Sequence, residues 1–140
     1  MKKDTTEMLK ELESYSDFKS FYETNCNNFI KKTLSDYLND LVTVHNIKKA
    51  DVIKKSELNE IYAYQIFSGL RVPERKKLLS LAIGMGISFP EVQNLMKCSG
   101  YATLYAKNEF DCIIIYGIYK KLSVMDINYL LFEHGLDTLG

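Results

Sequence analysis

The side chains best suited to bind another molecule lie within residues 47–73, in the segment IKKADVIKKSELNEIYAYQIFSGLRVP. Gln65 can form two hydrogen bonds with an adenine edge, Asn59 can bond a base or a phosphate, and Ile61 can pack on a thymine methyl group. Glu60 can accept a hydrogen bond from the cytosine amino group, although its charge repels phosphate. These side chains can act together only if the fold holds them on one surface.

Apolar spacing in this segment predicts a helix, a tight turn and a second helix. The first helix is expected over residues 49–55 and would bury Val52 and Ile53. The turn is expected over residues 56–58, with Leu58 pointing inward. The pattern is typical of a helix-turn-helix.

The second helix is predicted to begin after Asn59, whose side chain is a suitable N-cap. Ala63 and Ile66, at positions i and i+3, would be buried, and the small Ala63 would let the two helices approach closely. Gly69 is expected to end the helix, because it can adopt the positive φ that other residues resist.

The rest of the chain is also predicted to be helical. It has two prolines in 140 residues, no alternating strand pattern and repeated i, i+3, i+4 apolar spacing, which predicts an all-α protein of about eight helices. Capping boxes are expected at Thr33 with Asp36 and at Ser88 with Glu91. Gly84 is expected to cap the helix that begins near Pro73.

Charge is distributed unevenly although the formal net charge is zero. Residues 31–77 carry 10 basic and 6 acidic side chains, whereas residues 1–30 and 78–140 each carry 4 basic and 6 acidic ones. The positive charge is therefore concentrated in the segment with the predicted turn, as expected of a module that faces phosphate. The simpler alternative is that these basic residues form a solvated surface that does not face phosphate.

From about residue 33 to residue 89 the chain resembles the Xre-like, phage-repressor-type helix-turn-helix transcriptional regulators. The resemblance rests on the small residue and tight turn, the glycine that ends the second helix and the following leucine-rich helix. The wider pattern QIFSGLRVPERKKLLSLAIGMGIS, followed by GYATLYAKNEFD and a two-helix tail, is similar to a Gram-positive subgroup of these proteins.

The resemblance implies a lambda-repressor-like bundle that binds duplex DNA, with helical extensions at both ends. It implies an N-terminal extension over residues 1–30, a DNA-binding domain over 31–100 and a C-terminal hairpin over 101–140. It also implies a base-facing set consisting of Asn59, Glu60, Ile61, Tyr64 and Gln65. The phosphate-contacting set that the resemblance implies consists of Lys48, Lys49, Gly69, Arg71, Arg75 and Lys76. The hydroxyl group of Tyr62 could also donate to a phosphate.

Three of these residues leave a second function open. Glu60 repels phosphate, and Tyr62 and Tyr64 are bulkier than the small polar residues common on a base-reading helix. The surface could instead contact a protein, as in an antitoxin-like or regulatory subunit that keeps the fold without specific DNA binding.

The helix around residues 111–121 is apolar nearly all round and must be covered on two sides. The last helix can cover one side, and either the N-terminal aromatic residues or a second chain must cover the other. A homodimer through this hairpin is therefore one expectation, and intrachain burial is the alternative.

Catalysis and metal binding are not expected. His45 and His134 lie at predicted helix ends, and Cys26, Cys98 and Cys112 read as reduced core thiols. No metal-binding, phosphate-cradling or nucleophile motif is present, so we expect no enzyme activity and no cofactor. Without an apolar leader or a membrane-length apolar stretch, a cytoplasmic location is expected.

Overall fold

The computed structural model describes residues 3–25 and 32–140, and in these residues the only regular elements are nine α-helices. The all-α prediction is thus confirmed for the described residues. In chain order the helices are α1 (Thr5–Ser14), α2 (Phe18–Asn25), α3 (Leu34–Val44), α4 (Lys49–Ser56), α5 (Glu60–Ser68), α6 (Arg75–Met85), α7 (Phe89–Cys98), α8 (Glu109–Tyr119) and α9 (Val124–Glu133).

The chain divides into two compact units, one over Met1–Lys32 and one over Thr33–Gly140. The first contains α1 and α2. Its buried Phe21 contacts the ring of Tyr15 edge-on, with centroids 5.6 Å apart, and lies 5.9 Å from the ring of Phe18. Cys26, one of the predicted core thiols, lies outside the described residues.

The second unit contains the main hydrophobic core, to which all seven of its helices contribute. The central element is α6, which runs through the core with nearly every side chain from Leu78 to Met85 buried. Its most extensive partner is α4, and α7 and α9 also pack against it. Because α6 is covered on several sides, it positions the shorter helices around it.

Gly84 corrects one expectation about α6. The helix continues past Gly84 and is capped by Gly86, which has a φ of +68°. A Cβ atom on Gly84 would lie 2.7 Å from the carbonyl oxygen of Val52 and 3.0 Å from the backbone nitrogen of Ser56. Gly84 therefore allows α4 and α6 to approach closely, a role that depends on a neighbour distant in sequence.

Local helix-end chemistry follows the predictions. Thr33 with Asp36 and Ser88 with Glu91 both form complete capping boxes, at the starts of α3 and α7. The α8 helix begins at Glu109, two residues before the expected start, because the side chain of Asn108 caps it by accepting from the backbone nitrogen of Asp111.

The helices α8 and α9 form a hairpin that is covered on one side within the second unit. Ile114, Gly117, Ile127 and Leu131 are buried. Both helices also carry exposed apolar residues, namely Tyr116, Tyr119, Met125, Tyr129 and Phe132, and the ring of Tyr119 lies 5.3 Å from that of Phe89 on α7. We call this set the aromatic hairpin face.

The described cysteines do not match the expectation of core thiols. Cys112 is exposed on α8, and Cys98 is half-buried at the end of α7. Each lies among apolar residues in the sequence, but helical periodicity turns its side chain away from the core.

Gly84 provides a test of the α4–α6 contact. We expect Gly84→Ala to lower the free energy of unfolding by about 1–3 kcal/mol, because the added methyl group forces the two helices apart. The higher helix propensity of alanine opposes this loss but contributes only about 1 kcal/mol. Urea unfolding followed by circular dichroism measures the difference.

Gly86→Asn is the matched control, since a Cβ atom there meets nothing within 4 Å and asparagine tolerates a positive φ. Its expected loss is below about 1 kcal/mol. A Gly84→Ala protein as stable as the wild type would contradict the close approach.

Candidate nucleic-acid interface

The α4–turn–α5 unit is fixed by burial on both helices and by one serine in the turn. Val52 and Ile53 are buried on α4, and Ala63 and Ile66 are buried on α5, as the sequence predicted. Ser56 is buried, donates to the carbonyl oxygen of Ile53 at 2.6 Å and accepts from the backbone nitrogen of Leu58 at 3.3 Å. The hydroxyl group therefore satisfies backbone groups that the end of α4 would leave unpaired.

The turn itself requires an unusual backbone conformation at Glu57, which has a φ of +63°. This residue follows α4, which ends one residue later than predicted, at Ser56. Leu58 is half-buried and packs against the core, in agreement with its predicted inward orientation. The turn between α4 and α5 thus consists of three residues, 57–59.

Both ends of α5 are held by side chains. At its start, Asn59 accepts from the backbone nitrogen of Tyr62 at 3.1 Å, as expected of an N-cap. At its end, Ser35 Oγ and Asn39 Nδ2, both on α3, donate to the carbonyl oxygen of Phe67 at 2.5 and 2.9 Å. These bonds from α3 fix the direction of α5 relative to the core.

One side of α5 remains outside the core. Glu60, Ile61, Tyr64 and Ser68 are exposed and Gln65 is half-buried, and their spacing places them along one helix face. We call these five residues the α5 stripe. It includes every predicted base-facing residue except Asn59, which precedes it, and it adds Ser68. The i+4 spacing of Ser68 from Tyr64 could have identified it from the sequence.

Basic side chains lie beside the α5 stripe. Lys48 and Lys49 are exposed at the start of α4, and Nζ of Lys49 lies 5.6 Å from the ring centroid of Phe67 on α5. Arg71 follows α5, is exposed, and is tied to it by a 3.2 Å hydrogen bond from its backbone nitrogen to the carbonyl oxygen of Gln65. Lys49 and Arg71 therefore lie near the C-terminal end of α5, and Lys48 precedes Lys49 in the chain.

Tyr62 was predicted to contact phosphate, but the structure turns it the other way. It is half-buried, packs against the main core, and lines a small cavity together with Ser80 of α6 and Asn128 of α9. Since Tyr62 is adjacent to buried Ala63, helical geometry directs it inward rather than along the α5 stripe.

The predicted role of Gly69 also needs correction. Its backbone nitrogen donates to the carbonyl oxygen of Ile66 at 3.2 Å, and that of Leu70 donates to Gln65 at 2.9 Å. With a φ of +87°, Gly69 closes α5 by using donors that were expected to face phosphate. The side chain of Arg71 remains available in this loop.

Arg75 and Lys76 are directed toward the C-terminal part of the chain. The guanidinium group of Arg75 binds both carboxylate oxygens of Asp111 at 3.0 Å and also donates to the carbonyl oxygens of Ala102 and Thr103. Lys76 lies 5.6 Å from the ring centroid of Phe110 and 3.8 Å from a carboxylate oxygen of Asp137. Both residues therefore stabilise contacts of α6 with later elements.

The surface around the α5 stripe is not uniformly positive. Glu60 and Tyr64 share a groove of about 380 Å³ with Lys54 and Glu57, between α4 and α5. Lys54 places a cation in the same groove as Glu60, whose charge repels phosphate, but Glu57 adds a second carboxylate to that groove. The positive charge thus lies near the end of α5, beside Phe67, and the groove at the start of α5 is mixed in charge.

Comparisons with protein-family models, curated proteins and solved structures gave no match to this chain. Within residues 3–25 and 32–140, no helix is long and apolar enough to cross a membrane. The same residues contain no group of three or more His, Cys, Asp or Glu side chains that could hold a metal ion.

Variants of Arg75 and Arg71 test whether an arginine stabilises the fold or only contributes charge to the surface. We expect Arg75→Ala to lower the free energy of unfolding by about 3 kcal/mol, because it leaves the carboxylate of Asp111, only 6% exposed, without its ion-pair partner. Thermal and urea unfolding both measure this loss.

Arg71→Ala removes the same charge from an exposed loop and should change the free energy of unfolding by no more than about 0.5 kcal/mol. Equal stability of the two variants would show that the Arg75–Asp111 bond contributes little.

Proposed function

We propose that this protein is a transcriptional regulator that binds duplex DNA sequence-specifically through a lambda-repressor-like helix-turn-helix. The single observation that carries the proposal is the α5 stripe, a row of four exposed side chains and the half-buried Gln65 on a short helix whose two ends are fixed. Such a helix fits the major groove, where Gln65 can pair with adenine and Ile61 can contact a thymine methyl group. The resemblance to Xre-like regulators supports the same assignment.

The basic residues supply the phosphate contacts in this proposal. Lys48 and Lys49 grip the backbone at the start of α4, and Arg71 does so after α5. Asn59 keeps a free amide nitrogen for a base or phosphate, because its cap uses only the oxygen. Tyr62, Gly69, Arg75 and Lys76 are not part of the proposed interface, since their interacting groups are directed elsewhere or already bonded.

The experiment that tests the proposal is a selection of binding sites from random duplex DNA by the purified protein at low salt. Enrichment of a common sequence is expected, and failure to enrich any sequence would refute specific DNA binding. The selected site then serves as the substrate for the variants below.

Two variants distinguish base reading from backbone contact. Gln65→Ala should weaken binding to the selected site by about 1–3 kcal/mol but leave binding to scrambled DNA unchanged. Lys49→Ala should weaken binding to both sequences and reduce the slope of log affinity against log salt by about 1. Fluorescence anisotropy at several salt concentrations measures both quantities.

Lys97→Ala is the control for general charge, because Lys97 is exposed at the end of α7 and is not part of the proposed interface. Equal loss on every sequence for Gln65→Ala would contradict its assignment to a base edge.

Regulators of this fold read two half-sites about one helical turn apart, so the proposal includes a homodimer. We assign its contact to the aromatic hairpin face, where Phe132 is 75% exposed. Phe132→Lys should weaken self-association by at least about tenfold, since a charge would have to be buried in the contact. Sedimentation velocity at tens of micromolar measures this effect.

His134→Lys is the matched control, placing the same charge two residues further on. A wild-type protein that sediments as a monomer would remove the dimer from the proposal without removing DNA binding.

A protein-interaction role is the second candidate, favoured by exposed apolar residues on α5 and in the loop that follows it. Ile61 is 70% exposed, and Leu70 and Val72 in the loop after α5 are 77% and 79% exposed. Exposed large apolar side chains of this kind suit a contact with another protein. This role predicts co-purification of a defined partner and DNA binding that shows no sequence preference.

A further inference from the structure

A cavity of about 700 Å³ lies in the second unit, away from the α5 stripe. Its walls come from the ends of α4 and α6, the start of α7 and the turn between α8 and α9. This volume is within the range of about 300–1,000 Å³ that is usual for small-molecule sites. The cavity is therefore large enough for a ligand of about ten non-hydrogen atoms or more.

The interior of this cavity is mainly apolar. Ile83 and Met85 contribute from α6, Ile118 from α8, and Leu122 and Val124 from the turn and the start of α9. A ligand that fills it must have an apolar body, because burial of apolar surface supplies most of the affinity in such sites.

The charged residues that line the cavity do not all form ion pairs with one another. His45 and Glu91 form a 2.6 Å contact with each other. Burial acts to raise the pKa of Glu91, but hydrogen bonds from the backbone of Ser88 and the side chain of His45 outweigh this effect and hold the pKa below its usual value. Glu91 is thus an ionised group that already has partners.

Two lysines remain for a ligand. Lys55 at the end of α4 and Lys121 in the α8–α9 turn both line the cavity, and neither forms an ion pair within the described residues. Glu57 is the remaining lining carboxylate, so cations outnumber the carboxylates that lack a partner. An anionic group on the ligand complements this excess.

We infer that the cavity is a binding site for a small amphipathic carboxylic acid. The apolar body lies on Ile83, Ile118 and Leu122, and the carboxylate lies at the opening between Lys55 and Lys121. The assignment rests on the volume, the apolar walls and the two lysines together.

The position of the cavity also gives it a route to regulation, a consequence that rests on the proposed DNA-binding function. Its wall includes Lys55 and Glu57, the last turn of α4 and the turn that leads into α5. In this scheme α4 packs against the α8–α9 turn in two arrangements that differ in DNA affinity. A ligand that binds one arrangement more tightly shifts the protein toward it, and the change in DNA affinity is set by the ligand's difference in affinity for the two arrangements.

The first experiment is isothermal titration calorimetry of the full chain with decanoate below its micellar concentration, compared with decylamine. Decanoate should bind at least about tenfold more tightly than decylamine, since the charged contact contributes about 1.4 kcal/mol or more. Equal binding of the two would show that the chain offers only apolar surface, and no decanoate binding would overturn the site.

Paired lysine variants locate the site. Lys55→Gln/Lys121→Asn removes both cations, and asparagine suits the φ of +55° at residue 121. We expect at least about tenfold weaker decanoate binding by this variant. Lys54→Gln/Lys120→Gln is the control, because it changes the net charge equally at neighbouring residues that do not line the cavity. Equal affinities of the two double variants would overturn the assignment.

The regulatory consequence is tested separately by measuring affinity for the selected DNA with and without saturating decanoate. A change of at least about fivefold is expected. Decanoate binding without specific DNA binding would leave the site standing and remove both the regulator and the regulation. Specific DNA binding without decanoate binding would leave the proposed function standing and remove the site.

Discussion

The second unit depends on the contact between α4 and α6, where the backbone of one helix lies directly on a glycine of the other. Gly84 presents no side chain, so the carbonyl oxygen of Val52 and the backbone nitrogen of Ser56 occupy the space that a Cβ atom would need. This contact buries Val52 and fixes the end of α4. Because the end of α4 leads into the turn, this contact sets where α5 begins, and the same end of α4 forms part of the wall of the 700 Å³ cavity.

The surface available on α5 is what remains after the other constraints are met. Ala63, Ile66 and Phe67 must face the core, and Ser35 and Asn39 must reach the carbonyl oxygen of Phe67. Because these contacts hold one face of α5 against the core, the helix can expose only the opposite face. Preorganisation of this kind favours specific recognition, because little conformational entropy is lost when a partner binds.

Basic residues near the turn divide according to what lies opposite them in the fold. Arg71 follows α5 and meets no carboxylate, so its charge stays at the surface among the described residues. Arg75 begins α6 opposite Asp111, and burial makes the bidentate bond between them far more costly to break than a surface ion pair. Arg71 and Arg75 are only four residues apart in the chain, yet the first is a surface cation and the second stabilises the fold.

The sequence by itself determined most of the helices and several of their ends, because capping and periodic burial act over a few residues. It predicted the capping boxes at Thr33 and Ser88, the N-cap at Asn59 and the end of α5 at Gly69. Only the tertiary structure decided that Gly84 is a contact point, that Tyr62 turns inward and that Arg75 binds Asp111. These three depend on neighbours from other elements, and a pattern of local spacing carries no information about which distant group will lie opposite a given side chain.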